Sequence, residues 1–232
     1  KILNKKTVFW GHVWARKGKE SKTEKIRNLM RKASSSLLLY TNNQKQELLN
    51  AYGEKCKKEN EIFVAPNSLY YRNDMMNVLS SKSTGVIYVG RLVSSKKVDM
   101  IIKAIPLVCK VEPSIVFHIV GDGEQSNELK KISRDLGIDE NVMFYGHIAY
   151  HSKLKEIYSK SFVSISPGYV GLSITQSLSF GVPMLVSKDE NHSPELEALQ
   201  TGLNGGFFNT NDPQSLADEI LKYFHGRQYN MF

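Results

Sequence analysis

The stretch 161–187 constrains the fold more than any other part of this chain. It combines an apolar strand pattern, a turn that contains glycine, a helix pattern and a second apolar strand pattern. Such alternation favours a parallel sheet whose strands are joined by helices. A glycine turn that leads from the carboxyl end of a strand into a helix presents backbone N–H groups to an anion. We therefore expect the amides of Gly171, Leu172 and Ser173 to face a phosphate-bearing ligand.

The same alternation extends over residues 86–232 and predicts a doubly wound α/β domain. The ligand site of such a domain lies outside the carboxyl ends of its strands. Strands are predicted at 86–89, 115–120, 141–145, 162–166, 183–187 and 206–208, and helices at 98–110, 124–136, 151–159, 171–180, 195–201 and 213–224.

The amino-terminal residues predict a smaller unit of the same kind, which has few strands for an independent domain. Asn, Asp, Arg and Ser interrupt the alternation over 68–84. We interpret residues 1–70 as part of one domain, 71–85 as a linker and 86–232 as a second domain. In the first of these, strands are predicted at 7–10, 36–40 and 61–65, and helices at 26–33 and 44–52.

Charge is distributed unevenly along the chain. Residues 1–85 contain 17 Lys and Arg against 7 Asp and Glu, whereas residues 86–232 contain 14 against 16. A basic module suits an anionic membrane surface, a phosphorylated substrate or nucleic acid, and a solvated basic face is the alternative. Nucleic acid is disfavoured because the chain has no recognisable reading motif for it. Cys56 and Cys109 have no metal-like spacing, so we expect reduced thiols.

A loop rich in cations follows the predicted strand 86–89. Gly90 allows the backbone to turn, and Arg91 and Lys96 stand five residues apart. Arg offers a planar fork of donors and Lys a point charge, so the pair could hold a diphosphate. A surface turn is the alternative interpretation of this loop.

Two further loops follow predicted strands. The sequence GDGE at 121–124 resembles the start of a dinucleotide fingerprint, but a tight strand-to-helix turn explains it equally well. Gly146, His147 and Ile148 follow the strand 141–145, and backbone groups in such a loop can read the edge of a base. For His147 itself, an exposed loop histidine is the alternative.

Together these loops resemble the carboxyl-terminal domain of the GT-B glycosyltransferases of family 4 (glycosyl transferases group 1), in the bacterial polysaccharide-assembly type. The resemblance covers about 86–224. It extends more loosely to 8–67, which looks like the second half of the amino-terminal Rossmann-like domain, so roughly the first third of a typical member is expected to be missing here. The matching motifs are YVGRLVSSKKVDMIIKA, HIVGDGEQSNELKK, NVMFYGHI, SPGYVGLSITQSLSFGVPMLVS, ELEALQTGLNGGFF and NDPQSLADEI, and more loosely VFWGHVW, LLLYTNNQ and IFVAPNSL.

The resemblance implies a sugar nucleotide in the cleft between two domains. Arg91 and Lys96 match the positions that hold its diphosphate, where they would neutralise the charge on the departing nucleoside diphosphate. The loop at Gly146 matches the position near the base. Two cations and a helix N-terminus would replace a metal ion, so neither a metal nor another cofactor is expected, in agreement with the absence of a DxD pair.

The hallmark of this family is a pair of acidic residues eight positions apart around the glycine turn, and these positions fall on Gly168 and Gln176. Gln176 could still hydrogen-bond a ribose hydroxyl, since its amide supplies both an acceptor and donors. Gly168 has no side chain with which to contact the donor sugar. Some members of the polysaccharide-assembly type share an SPG-x-VGL turn, so the departure does not by itself imply an inactive enzyme.

Three more residues are implicated only by the resemblance. Glu195 and Glu197 lie near the family's glutamate beside a glycine-rich turn, where either would face the sugar, and a helix-capping carboxylate is the alternative. In the family, a loop histidine near the position of His12 faces the donor sugar and the acceptor, so the resemblance implies this role for His12. A structural or solvent-facing histidine is the alternative.

We therefore predict a retaining, metal-independent glycosyltransferase of cell-surface polysaccharide synthesis. It would move a hexose from a nucleotide diphosphate sugar to a saccharide or lipid-linked saccharide, in the cytoplasm and at the inner face of the cell membrane. The alternative is a nucleotide-binding module without turnover, as a truncated or inactive transferase would be. A dinucleotide-dependent dehydrogenase is disfavoured, because the GxGxxG fingerprint and its ribose-binding acid are missing.

Overall fold

The computed structural model describes residues 5–15, 18–75, 77–78, 80 and 82–226. The chain divides into two compact units, Lys1–Asn67 and Ser68–Phe232. Both units contain parallel strands joined by helices, so the predicted α/β class is confirmed.

The first unit contains a sheet of three parallel strands. The strands pair in the order β1-β2-β3, and Leu37 and Leu39 of the central strand lie in one buried apolar cluster with Leu48 of α2. Helix α2 begins at a side-chain cap, because the Thr41 hydroxyl accepts a hydrogen bond from the amide of Gln44 at 3.2 Å. The elements are β1 Val8–Trp10, α1 Lys22–Ala33, β2 Ser36–Leu39, α2 Asn42–Tyr52 and β3 Ile62–Val64.

The second unit contains a sheet of six parallel strands with helices in between. Its interior strands are buried along nearly their whole length, as expected of a sheet that is covered on both faces. The elements are β4 Gly85–Val89, α3 Asp99–Cys109, β5 Val116–Val120, α4 Ser126–Asp135, β6 Val142–Gly146, α5 His151–Ser159, β7 Ser161–Ser166, α6 Ser173–Ser179, β8 Met184–Ser187, β9 Gly205–Phe208 and α7 Pro213–Gly226.

The strand order of this sheet is β6-β5-β4-β7-β8-β9. The order reverses between β4 and β7, which are direct neighbours in the sheet. In open α/β sheets a ligand binds outside the carboxyl ends of the strands at such a reversal. The loops that follow Val89 and Ser166 therefore mark the expected ligand position.

One predicted helix is wrong. The stretch 195–201 forms only a short 3-10 helix, Pro194–Ala198. The side chain of Asn204 prevents a longer helix, because its Nδ2 donates to the carbonyl oxygen of Ala198 at 3.0 Å and its Oδ1 accepts from the amide of Gln200 at 2.7 Å. These backbone groups would otherwise continue the helix.

The segment with linker-like composition belongs to the second unit. The amide of Val78 donates to the carbonyl oxygen of Phe180 at 2.9 Å, and the Ser83 hydroxyl donates to that of Ser159 at 2.8 Å. These two hydrogen bonds attach described residues of the segment to the second unit.

The longest described helix is α7, with 14 residues. Within the described ranges, no helix combines the length and the apolar character that are needed to cross a bilayer.

Candidate functional site

Backbone hydrogen bonds join three loops at the carboxyl edge of the larger sheet. The amide of Gly90 donates to the carbonyl oxygen of Val120 at 3.0 Å, and the amide of Gly121 donates to that of Gly146 at 2.8 Å. Each bond links a loop to its neighbour across the end of the sheet. The loops after β4, β5 and β6 therefore form one continuous rim.

The GDGE sequence at 121–124 is explained by this close packing. Gly121 has a φ of +141°, and a Cβ atom there would lie only 1.7 Å from the carbonyl oxygen of Gly90. Only glycine fits a backbone position with this angle and this contact. The motif is thus required for the turn.

A cavity of about 340 Å³ opens on this rim. It brings together five predicted site residues from two loops and one helix, namely Gly90, Arg91, His147, Ile148 and Gln176, and the GDGE loop adds Gly121 and Asp122. A second cavity of about 540 Å³ shares His147 and Ile148 with it and continues along α5. The first cavity is lined by Val89, Gly90, Arg91, Val120, Gly121, Asp122, His147, Ile148, Leu154 and Gln176.

Arg91 extends from a backbone that the strand beneath it holds in place. The buried hydroxyl of Tyr88 donates to the carbonyl oxygen of Arg91 at 2.8 Å. Burial raises the pKa of the Tyr88 phenol above its ordinary value, so the hydroxyl keeps its proton and remains a donor. The guanidinium of Arg91 is exposed at the cavity and free to meet an anion.

Lys96 contacts the glycine turn that follows β7. Its Nζ donates to the carbonyl oxygen of Tyr169 at 2.6 Å and lies 4.7 Å from the centre of the Tyr169 ring. Burial, and then the positive charge of Arg91, lower the pKa of the Lys96 ammonium. Both causes disfavour the charged form of Lys96. An anion bound between Lys96 and Arg91 would offset the repulsion between them.

Gly168 lies against the backbone of the loop that carries Lys96. A Cβ atom on Gly168 would stand 2.4 Å from the carbonyl oxygen of Ser95 and 2.9 Å from Cα of Lys96. Side chains do not reach such distances without a shift of the backbone. In this arrangement the loop excludes an acidic side chain from the position where the resemblance expects one.

Gln176 lines the cavity from α6 and is held by a residue that the sequence did not indicate. Its Nε2 donates to the hydroxyl of Tyr70 at 2.9 Å. Tyr70 belongs to the segment that composition marked as the approach to a linker, and no local pattern distinguishes it. The contact joins residues 106 positions apart.

A histidine holds the glycine turn from the opposite side. Nδ1 of His192 accepts from the amide of Val170 at 3.1 Å, and Nε2 contacts the carbonyl oxygen of Ser187 at 2.7 Å. These partners require a neutral ring with its proton on Nε2. Sequence reasoning missed His192 because it stands in an irregular loop without a motif.

The remaining residues of the glycine turn lie at the start of α6. Leu172 precedes the helix and Ser173 is its first residue. The amide of Ile174 donates to the carbonyl oxygen of Gly171 at 3.2 Å, which places Gly171 in the first turn. The first amides of a helix have no partner within the helix.

Glu195 and Glu197 both belong to the 3-10 helix Pro194–Ala198. Glu195 is buried and accepts a hydrogen bond from the Ser193 hydroxyl. Glu197 is partly exposed. The described geometry thus gives Glu195 a structural partner close to the glycine turn.

His12 lies in the first unit, on the loop after β1. Its ring packs against Tyr40 with 4.8 Å between the ring centres, and its Nδ1 lies 3.4 Å from Nε2 of Gln44. Its carbonyl oxygen accepts from Arg27 at 2.5 Å. The imidazole is exposed, so it is accessible to a ligand of this unit.

In the part of the chain that the structure describes, no group of three or more His, Cys, Asp and Glu side chains could hold a metal ion. Arg91 and Asp122 line the cavity on the rim, and Lys96 contacts the glycine turn.

Comparison with known proteins agrees with this arrangement. The family model for "Glycosyl transferases group 1" matches residues 73–231. The chain is 23% identical over 188 residues to the poly(ribitol-phosphate) alpha-N-acetylglucosaminyltransferase of Staphylococcus aureus. The matched segment covers 81% of this chain and 36% of that protein. It is 28% identical over 169 residues to the poly(glycerol-phosphate) alpha-glucosyltransferase of Bacillus subtilis, which covers 71% of this chain and 24% of that protein.

The fold is also similar to a solved structure. The crystal structure of Anabaena Alr3699/HepE in complex with UDP matches with a TM-score of 0.72 and 19% identity, covering 99% of this chain and 65% of that one. The chain thus spans less than two thirds of the length of each of these relatives. The GT-B type fold that the sequence predicted is confirmed. The family match covers more than half of the chain, and the chain therefore belongs to the glycosyl transferases group 1 family.

Proposed function

We propose that this chain is part of a retaining, metal-independent glycosyltransferase that moves a hexose from a nucleotide diphosphate sugar to a saccharide or lipid-linked saccharide in cell-surface polysaccharide synthesis. One observation carries the proposal. The cavity at the strand-order reversal gathers Arg91, His147, Ile148 and Gln176 at the position where α/β sheets bind nucleotides.

The cavity, together with Lys96 and the start of α6, offers a separate group to each part of a nucleoside diphosphate. Backbone groups of the loop at Ile148 suit a base edge, and the amide of Gln176 suits a ribose hydroxyl. Arg91 and Lys96 suit the two phosphates as a fork and a point charge. The first amides of α6 would add donors at the same end. UDP is the favoured nucleotide, since the similar Anabaena protein was solved with UDP.

The reaction needs stabilisation of the nucleoside diphosphate as it departs. Negative charge grows on its phosphate oxygens in the transition state, and fixed cations there lower the barrier. A single well-placed donor of this kind is worth roughly 100- to 1,000-fold in rate. We assign this role to Arg91 and Lys96, which makes a metal ion unnecessary. Donor hydrolysis or transfer should then proceed unchanged in EDTA, and a loss of rate that Mg²⁺ restores would contradict this part of the proposal.

Retention is supported by the names of the relatives. Both curated relatives are described as alpha-glycosyltransferases. The common UDP-hexoses carry their sugar in the α configuration, so an α product retains it. NMR of the anomeric proton in the first product formed would distinguish retention from inversion.

Contact with an anionic membrane is supported by the surface of α1 in the first unit. Ile26 is 62% exposed and Leu29 is 69% exposed. The same helix also contains lysines. Exposed apolar side chains beside lysines are typical of helices that lie in a lipid interface. Substitution of the lysines should abolish binding to phosphatidylglycerol vesicles, and unchanged binding would contradict the membrane assignment. The lysines to be replaced by Gln are Lys19, Lys22 and Lys25, together with Lys17, which lies outside the described residues.

The decisive experiment measures the binding of UDP, GDP, uridine and guanosine by calorimetry. Arg91→Ala should weaken binding of the matching diphosphate at least about tenfold, while the nucleoside is affected far less, because only the phosphates meet the guanidinium. Lys110→Ala is the matched control. It removes an equal charge from the exposed carboxyl end of α3, at the opposite edge of the sheet. No binding of either diphosphate, or equal effects on diphosphate and nucleoside, would refute the proposal.

The alternative is a nucleotide-binding module without turnover. It is favoured by the close approach of Gly168 to Ser95, which leaves no space for the expected acid. Binding of UDP together with an absence of sugar release from every UDP-hexose tested would select this alternative. Release of the sugar, in the presence of an acceptor or as slow hydrolysis, would exclude it.

A further inference from the structure

We propose that Tyr70 is a positioning residue that orients the amide of Gln176 so that its Oε1 accepts a hydrogen bond from a ribose hydroxyl of the bound nucleotide. This inference rests on the proposed function. Its basis is the hydrogen bond that Nε2 of Gln176 donates to the Tyr70 hydroxyl at 2.9 Å. The side chain of Gln176 lines the cavity. With one N–H of Nε2 bound to Tyr70, Oε1 is left as the acceptor that Gln176 can offer to the cavity.

The ring of Tyr70 is fixed by an aromatic cluster. It meets His151 edge-on with 4.5 Å between the ring centres, and Phe180 edge-on with 5.6 Å. Phe180 is fully buried and also stacks on Tyr158 at 4.6 Å. Edge-to-face contacts of this kind stabilise a single ring orientation. The hydroxyl is therefore held at one place beside α6.

The orientation decides what the site recognises. A free glutamine can present either its N–H donors or its carbonyl oxygen to a ligand. A ribose hydroxyl can pair with either group. An amide that is already held in one orientation loses less conformational entropy when the nucleotide binds. By accepting from Nε2, Tyr70 makes Gln176 behave toward the ribose as the acceptor that a carboxylate would be.

The experiment compares Kd for UDP, 2′-deoxy-UDP and 3′-deoxy-UDP, with the corresponding guanosine series if GDP is the tighter ligand. The wild-type chain should prefer the ribonucleotide over one deoxy analogue by about fivefold to tenfold, the size of one hydrogen bond. Tyr70→Phe should reduce this preference to about twofold or less, since the amide can then rotate. Gln176→Leu should abolish the preference.

Two further variants separate positioning from a general effect on the fold. Tyr158→Phe removes a hydroxyl of the same aromatic cluster that hydrogen-bonds Ser177 rather than Gln176, and should keep the wild-type preference. Gln176→Glu in the Tyr70→Phe background should restore the preference, because both oxygens of a carboxylate are acceptors in any orientation.

Three outcomes would overturn the inference while leaving the proposed function intact: a wild-type chain that binds UDP and both deoxy analogues equally, a full preference in Tyr70→Phe, or an equal loss in Tyr158→Phe. A chain that binds none of the ribonucleotides would overturn both the inference and the proposed function.

Discussion

A Cβ atom placed on Gly168 would lie 2.4 Å from the carbonyl oxygen of Ser95, so the glycine turn after β7 and the cationic loop after β4 touch through their backbones. The same contact brings Lys96 to the carbonyl oxygen of Tyr169. The missing acid at Gly168 and the position of Lys96 are therefore two aspects of one packing arrangement. A substitution in either loop is expected to affect the other.

Gly168→Ala should lower the free energy of unfolding by about 1–3 kcal/mol, because the new methyl group forces a backbone shift. Affinity for UDP should fall as well, since Cα of Lys96 lies 2.9 Å from the same Cβ position. Gly171→Ala is the matched control for stability, as its Cβ would meet its nearest neighbour at an ordinary 3.5 Å. Urea unfolding measures both variants. Equal stability of the two would contradict the packing argument.

His192→Ala should loosen the glycine turn, because the buried amide of Val170 loses its acceptor. Hydrogen exchange of the Val170 amide, measured by NMR, should accelerate about tenfold, as expected for the loss of about 1.4 kcal/mol. His225→Ala is a suitable comparison. His225 lies on α7, and its ring contacts Glu112 at 2.8 Å instead of the glycine turn. Unchanged exchange at Val170 in His192→Ala would show that His192 does not hold the turn.

Stability should decrease with acid below about pH 6.5 because of His118. Burial, and then the positive charge of Lys160, lower the pKa of His118 from 6.5 to about 4. The unfolded chain therefore binds a proton between pH 6.5 and 4 that the folded chain refuses, so the free energy of unfolding falls as pH falls through this window. The slope that His118 contributes is at most about 1.4 kcal/mol per pH unit.

Urea unfolding between pH 4 and 8 measures this slope. His118→Gln keeps a neutral polar side chain of similar size and should flatten the profile below pH 6.5. A variant profile parallel to that of the wild-type chain would assign the acid sensitivity to other groups.

Lys97 should couple the cationic loop to two loops at the carboxyl edge of the sheet. It adopts a left-handed conformation with a φ of +51°, and its Nζ contacts Glu190 at 2.5 Å and Asn211 at 2.8 Å. A double-mutant cycle with Lys97→Met and Glu190→Gln should give a coupling of about 0.5–1 kcal/mol, at the upper end for a partly exposed pair.

The exposed pair of Lys160 and Glu156, joined at 2.8 Å, provides the comparison cycle. Its coupling should be smaller and should vanish in high salt, because water screens it. A larger coupling there than between Lys97 and Glu190 would contradict the role assigned to Lys97.

Most of the strands and helices could be predicted from the sequence, because their apolar periods are local. The stretch 162–166, for example, is apolar enough to be a central strand, and the structure places it in β7. Parallel strands bring their carboxyl ends to one edge, so Gly90, Arg91 and Gly146 could be expected to lie together. The helix predicted at 195–201 failed, because Asn204 satisfies backbone groups that a local pattern assigns to a helix.

The sequence by itself thus determined the order of the elements, the parallel α/β class and the cationic loop with its glycine neighbours. Only the tertiary structure decided how the side chains in that site are held. Gln176 meets Tyr70 across 106 residues, and Gly168 meets Ser95 across the end of the sheet. Such contacts depend on how closely two distant backbones approach, which no local period or spacing encodes.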